Sequence, residues 1–377
     1  MIQNKMIATK RLMRISMVLL FPFWISCEKD PEQIVEVNFE DLVVDTLYLE
    51  KSPNTKELGY DFSFFETEEN RIVLKTFIDG TIYEYSYPDG RILRTQDYEQ
   101  EGPNGIGSFN QGYFIEEDFI WFLSEVNLIK ADHFGRVIAR YALPEANENR
   151  QSVNYSTRMG AKVFRVGSSV LIPDAPFVLN EQVVQYEDWI LKFDPEADSF
   201  EYLSFQWPEN YQQFLNDPGF GRYQNSYLHN QNIMVVSLPA SDSLIVLGKG
   251  LKKKVYAGTR EPMNYLKGGQ SQQGEWVVFF QDNNSSKYSG ISWAEKEQVL
   301  LRQAIPIPDT KENREDGKIP ILKMVVLDSS LRLKAEIDMP FETGGFNTPD
   351  GFYIWIGNPH SEDEVAYVRL SFDDILE

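Results

Sequence analysis

Four stretches of the chain share one layout: a run rich in Val, Ile, Tyr, Phe or Leu, a turn of Asp or Gly type, and a second such run. They begin at Thr81 (TIYEYSYPDGRILRT), Leu128 (LIKADHFGRVIARYAL), Trp189 (WILKFDPEADSFEYLSF) and Ile321 (ILKMVVLDSSLRLKAEIDM). A hairpin that recurs in this way must bury its apolar face against its own repeats, and helical periodicity is weak throughout. The first spacings, 47 and 61 residues, are those of propeller blades or related arrays. Another pair of strand-like runs precedes each hairpin, such as 61–65 with 71–77 and 112–115 with 119–124. Four strands per unit make a blade.

The units fall at 60–98, 108–143, 160–205, 231–280, 288–340 and 346–371. The expected fold is therefore all-β, a six-bladed β-propeller; a seven-bladed ring is the alternative, because 244–300 divides irregularly. The last unit has only three obvious strands. The orphan run 35–49 supplies a fourth, so the ring is expected to close by pairing the two ends of the chain. A pair of β-sandwiches would not require matching hairpins along the whole length.

With 42% hydrophobic residues the chain has ample material for a core, and disorder is excluded. Its formal net charge of -21 argues against a nucleic-acid partner, since a phosphate backbone is bound by neutralising it. Cys27 is the single cysteine, so disulfides and Cys-rich metal sites are excluded. His133, His229 and His360 match no metal or catalytic spacing. No cofactor, metal ligand or catalytic residue is expected from these counts.

Residues 1–14 carry Lys5, Lys10, Arg11 and Arg14 and no acid, and an apolar stretch of 11 residues, 15–25, follows. That is a signal-peptide pattern, too short for a membrane-spanning helix, which needs about 20 residues. Trp24-Ile25-Ser26-Cys27 resembles the lipobox of bacterial lipoproteins, with Trp24 in place of the usual leucine. The expected division is a signal peptide at 1–26, a tether at 27–33 and one propeller domain at 34–377. Cleavage before Cys27 removes four basic residues and takes the net charge from -21 to -25. Lipid chains on Cys27 would attach the protein to the membrane. Glu28-Lys29-Asp30 resembles the export signal of Bacteroidetes surface lipoproteins, although a solvated tether explains it equally well. The expected location is the bacterial cell envelope, as an outer-membrane lipoprotein, periplasmic or surface-exposed.

The lipobox, Glu101-Gly102-Pro103-Asn104-Gly105-Ile106-Gly107, Lys287-Tyr288-Ser289-Gly290-Ile291-Ser292-Trp293 and Met324-Val325-Val326-Leu327-Asp328 together resemble the Bacteroidetes lipoproteins of domain-of-unknown-function family 4221. These are similar to six-bladed, TolB-like propellers. The resemblance implies the fold and carries over no catalytic residue.

In a propeller the outer strand of one blade connects to the inner strand of the next, and these connections gather on one face. Here they are 101–108, 147–159, 206–230, 260–274 and 341–350. The expected ligand-binding residues are Asn104, Arg158, Arg222, Tyr223, His229 and Asn347, with Arg150 beside them; solvated loops without a ligand are the plain alternative. The longest connection interleaves Trp207, Tyr211, Phe214, Phe220, Tyr223 and Tyr227 with amides. Such a segment makes either a platform for sugar rings or peptides or a lid that packs its own aromatics.

Gly102 to Gly107 lacks the Lys-Ser/Thr of a phosphate loop and reads as a tight turn. Lys249, Lys252, Lys253, Lys254 and Arg260 form a basic run suited to an anionic group or to protecting an outer strand. Asp132-His133 reads as an exposed pair at a hairpin turn. The leading functional reading is a lipid-anchored, non-catalytic binding or scaffolding module for a glycan, peptide or protein partner. The alternative is a metal-dependent hydrolase or lyase with carboxylates converging on the central channel.

Overall fold

Residues 34–53, 58–59, 61–108, 110–145, 153–157, 160–176, 179–357 and 363–376 are described by a computed structural model. The expected signal peptide and tether, Cys27, Arg150, Arg158 and His360 lie outside the described residues. The chain enters through β1 (Val35–Asn38), a one-turn helix Phe39–Leu42 and β2 (Val43–Glu50).

Blade 1 is β3 (Ser63–Glu66), β4 (Ile72–Ile78), β5 (Thr81–Tyr87) and β6 (Ile92–Asp97). Blade 2 is β7 (Asn110–Ile115), β8 (Phe119–Ser124), β9 (Asn127–Asp132) and β10 (Val137–Ala142). Blade 3 is β11 (Phe164–Val166), β12 (Ser169–Pro173), β13 (Ile190–Asp194) and β14 (Ser199–Leu203). Blade 4 is β15 (Gln224–Leu228), β16 (Ile233–Ser237), β17 (Ser243–Gly248) and β18 (Leu251–Tyr256). A separate hairpin of β19 (Gly269–Gln273) and β20 (Trp276–Phe280) follows. Blade 5 is β21 (Lys287–Ala294), β22 (Val299–Ile307), β23 (Ile321–Leu327) and β24 (Leu333–Asp338), and blade 6 is β25 (Gly345–Thr348), β26 (Gly351–Gly357) and β27 (Glu364–Leu370).

The burial of each strand follows from its place in the blade. A second strand lies between two neighbouring blades and is apolar on both faces: FIWFLS of β8, SVLIP of β12 and IMVVS of β16 are buried almost throughout. Outer strands have one face in solvent and alternate, as in ILRTQD of β6 and VIARYA of β10. Among the described residues the core divides into six apolar clusters, one in each wedge between adjacent blades. Six wedges leave no place for a seventh blade.

The fourth unit departs from its expected limits of 231–280. Blade 4 starts at Gln224 and ends at Tyr256, and 269–280 is a two-stranded sheet of its own. Its strand-like pattern does not decide whether it joins a blade, and here it pairs only with itself.

The ring closes as expected, and more extensively. β2 pairs antiparallel with β27 from Val43↔Leu370 to Glu50↔Glu364 and becomes the outer strand of blade 6. β1 goes elsewhere, pairing in parallel with β24 as a fifth strand of blade 5. The N-terminal run thus clasps two blades. Gly90 marks where the clasp meets blade 1: its φ is +71°, and a Cβ there would stand 1.8 Å from the Tyr48 carbonyl oxygen. Its own carbonyl accepts from Glu50 N at 2.8 Å.

His133 corrects an expectation. It is 8% exposed, with Nε2 3.1 Å from the Glu116 carbonyl, because the β9–β10 turn is tucked against blade 1, whose Arg94 donates to the His133 carbonyl. Burial first, and then the Lys75 charge, pull the imidazole pKa down.

Candidate functional site

The inner strands β3, β7, β11, β15, β21 and β25 surround a central channel. A cavity of about 740 Å³ runs along it, lined from every blade, and a second of about 280 Å³ continues it past the far ends of the inner strands.

Polar side chains stitch the inner strands together. Thr157 Oγ1 donates to Gln111 O at 3.2 Å between blades 2 and 3. Asn225 joins blades 3 and 4, accepting from Lys162 N at 2.5 Å and donating to Lys162 O at 3.1 Å. Gln224 Nε2 reaches Ser289 O of blade 5 at 2.5 Å, and Gln303 Nε2 donates to Thr343 O ahead of blade 6. Buried amides held this way fix the strand spacing and so the channel bore.

The charges of the channel are mostly paired across blades. Lys162 Nζ lies 3.4 Å from Asp61, and Arg165 Nε lies 3.5 Å from Glu116. Arg222 differs. Its guanidinium donates once, to Pro218 O at 3.1 Å, and its buried Nε has no partner among the described residues. Burial pulls its pKa down and the Asp217 charge pulls it back. Buried Arg165 NH1 and Gln224 Oε1 are likewise without partners among the described residues. Arg165 and Gln224 line the cavity from blades 3 and 4 and Arg222 from just ahead of β15, and unpaired polar atoms buried there are costly. That arrangement suits an anionic group with a hydrogen-bonding neighbour.

The carboxylates Asp61, Glu116 and Glu342 also line the cavity, each from a different part of the ring. Among the described residues no three His, Cys, Asp or Glu side chains are grouped so as to hold a metal ion.

Of the expected ligand-binding residues, Arg222 lies in the channel, just ahead of β15. His229 lines both cavities but stands beyond the other end of β15, so the five residues of that strand separate it from Arg222 along the axis. Asn347 lines the far cavity, spends its side chain on Glu295 N (2.9 Å) and Trp293 O (2.9 Å), and couples blades 5 and 6. Asn104 is at the rim, where its Oδ1 accepts from Val137 N at 3.2 Å on the outer strand of blade 2. Tyr223 is fully buried and its hydroxyl donates to Trp189 O at 2.7 Å. Arg158 is outside the described residues. Of the expected residues, Arg222, His229 and Asn347 thus line the channel cavities, and Asn104 and Tyr223 do not.

The aromatic connection is not a platform: it packs its own aromatics, as a lid on the blade 3–blade 4 wedge and not over the channel mouth. Trp207, Tyr211, Phe214, Phe220, Tyr223 and Tyr227 are each at most 6% exposed. Phe214 and Phe220 rings stand 4.2 Å apart, Trp207 and Tyr211 5.1 Å. Arg165, Gln224 and Gln303 were missed by sequence reasoning. Their signal is weak but present: a polar residue inside a strand-like run, the first of its unit for Arg165 and Gln224 and the second for Gln303, where a packed strand would be apolar.

The sequence model of the family described as "Domain of unknown function (DUF4221)" matches residues 25–334. No curated protein matches the chain. Among solved structures, the chain is similar to a DUF4221 family member from Bacteroides vulgatus, at 14% identity and TM-score 0.67, covering 88% of this chain and 97% of that one. It is also matched to XC5397, a gluconolactonase from Xanthomonas campestris, at 11% identity and TM-score 0.46, covering 91% and 95%. A protein of unknown function from Bacteroides caccae gives 12% identity and TM-score 0.39 over 75% and 83%.

Proposed function

Starting from the fact that the chain belongs to the DUF4221 family and folds as a six-bladed propeller, we propose that it is a lipid-anchored envelope protein that binds its ligand without transforming it. The ligand is an anionic group on a glycan, peptide or protein partner, held in the channel at Arg222. The observation that carries this reading is the half-buried Arg222 guanidinium, with one carbonyl partner and an unpartnered Nε, inside a chain of net charge -21. A buried cation left so poorly satisfied is unfavourable until an anion meets it. Lys162 and Arg165 line the same cavity but are already paired with Asp61 and Glu116.

The test is a binding screen of acidic and neutral glycans and of acidic peptides, repeated with Arg222→Ala and Arg222→Lys. Arg222→Ala should weaken binding of the acidic ligand at least tenfold, in line with about 1.5–3 kcal/mol for a hydrogen bond to a charged group, while folding stability stays level. Arg222→Lys should recover only part, having lost the planar fork. A ligand that binds equally well to Arg222→Ala overturns the reading. Anchorage is checked separately: fatty-acid labelling of the protein in cells should be lost in Cys27→Ser, and labelling that persists in that variant overturns the anchor.

A further inference from the structure

The β19–β20 hairpin exposes the largest run of apolar side chains among the described residues. β20 reads Trp-Val-Val-Phe-Phe; Trp276 is 77% exposed, and Val277, Val278 and Phe280 are exposed as well. Among the described residues its two strands pair only with each other. An apolar patch of this kind marks an interaction surface.

Its base is held firmly. Gly268 N donates to Asp217 Oδ2 at 2.6 Å, Leu266 N to Ser285 Oγ at 2.9 Å and Asn264 N to Ser286 Oγ at 2.8 Å. Tyr265 and Tyr288 both donate to Asp242 Oδ1 at 2.8 Å, and Arg302 lies over the Tyr288 ring. A rigid mount carrying a bare apolar tip points to a partner outside the fold.

Three observations identify the partner. Successive side chains of a strand point to opposite faces, so five consecutive apolar residues make both faces of β20 apolar. A protein surface covers one face, whereas a lipid interface surrounds both. Second, the connection that carries the hairpin also holds the N-terminal end of the ring: Arg260 donates to the Ile34 carbonyl and, at 2.9 Å, to Glu36. Six residues, 28–33, separate Ile34 from Cys27, a reach of about 25 Å at most. Third, exposed Lys252, Lys253 and Lys254 line β18, the strand from which this connection leaves, and Lys267 precedes β19. They form a basic region in a strongly acidic chain, which suits anionic headgroups.

We propose that the β19–β20 hairpin is a membrane-contact element, inserting Trp276, Val278 and Phe280 from one face of β20 and Val277 from the other into the interface of an anionic bilayer while the β18 lysines lie over the headgroups. It rests in part on the anchorage proposed above, and the test separates the two. A chain starting at Glu28 lacks Cys27 and keeps every strand of the ring, so its binding owes nothing to acylation. It is floated with vesicles of phosphatidylglycerol and phosphatidylcholine, and its tryptophan emission is quenched with brominated phosphatidylcholine. Trp121, Trp189, Trp207 and Trp293 are buried and Trp355 is half-buried, so quenching reports chiefly on Trp276.

The expected results are flotation, quenching that is lost in Trp276→Phe, and at least tenfold weaker binding by Trp276→Gln with Phe280→Ser. Replacing Lys252, Lys253 and Lys254 together by Glu should lower binding at least fivefold. The idea is overturned by absence of flotation, by binding that survives Trp276→Gln with Phe280→Ser, or by a lipid-free dimer that these two substitutions dissolve, which would assign the hairpin to a second copy. Acylation of Cys27 in cells stands or falls independently of all three.

Discussion

Two aromatic-rich segments flank blade 4 and meet opposite fates. The connection before it, 205–223, buries Phe205, Trp207, Tyr211, Phe214, Phe220 and Tyr223; the hairpin after it exposes Trp276, Val277, Val278 and Phe280. Residue type is nearly the same in both, so backbone form decides. The 3-10 turn Glu209–Phe214 places Tyr211 and Phe214 three residues apart on one side, and that side faces the blade 3–blade 4 wedge. The Tyr211 hydroxyl then accepts from Ala240 N at 2.7 Å, locking the turn to blade 4. A strand such as β20 sends alternate side chains to opposite faces, and neither face has a blade against it. Aromatic content therefore marks neither a ligand platform nor a core; the local path of the chain chooses.

This contrast can be broken by stability measurements. The largest expected effect is Phe214→Ala, which should cost about 3–5 kcal/mol in chemical denaturation, since Phe214 is 1% exposed and packed on Phe220. Next is Asp217, which stands between the two segments: Oδ1 accepts from Gly219 N at 2.7 Å in the lid, and Oδ2 from Gly268 N at 2.6 Å under the hairpin. Asp217→Asn can keep the first bond and not the second, so it should cost about 1–3 kcal/mol and speed amide hydrogen exchange at Gly268 while leaving Gly219 protected. Smallest is Trp276→Ala, expected within about 0.5 kcal/mol of the parent. Equal losses from Phe214→Ala and Trp276→Ala would abolish the distinction between core and free surface.

Much of the fold is legible in the sequence because blades repeat one local instruction. TIYEYSYPDGRILRT becomes β5, a turn and β6, and the run 35–49 supplies the strand that completes blade 6. The fourth unit misleads, because GQSQQGEWVVFF has the pattern of a strand pair and forms one, and only tertiary contact could say that no blade accepts it. The site is less legible for a reason of geometry. β15 is five residues long, about 17 Å, so Arg222 and His229 are close in sequence yet at opposite ends of the channel. Tyr223, next to Arg222, points its side chain into the wedge instead. A single-residue step decides between channel and core, and a sequence pattern that fixes strand limits only loosely cannot resolve it.

The double clasp of β1 and β2 sets an order in time. Tyr353 donates to Asp45 at 2.9 Å and Tyr367 to Gly59 O at 2.6 Å, each across 308 residues of chain. The first described strands to emerge during synthesis are thus the last to find their partners. Until the segment that becomes β27 arrives, β2 has no neighbour, and until β24 arrives β1 has none. Long-range pairing of this kind is slow, and an unpaired edge in the interval invites association with other chains. A chain halted before residue 364 therefore leaves β2 waiting, so a finished ring reports that synthesis has passed β27.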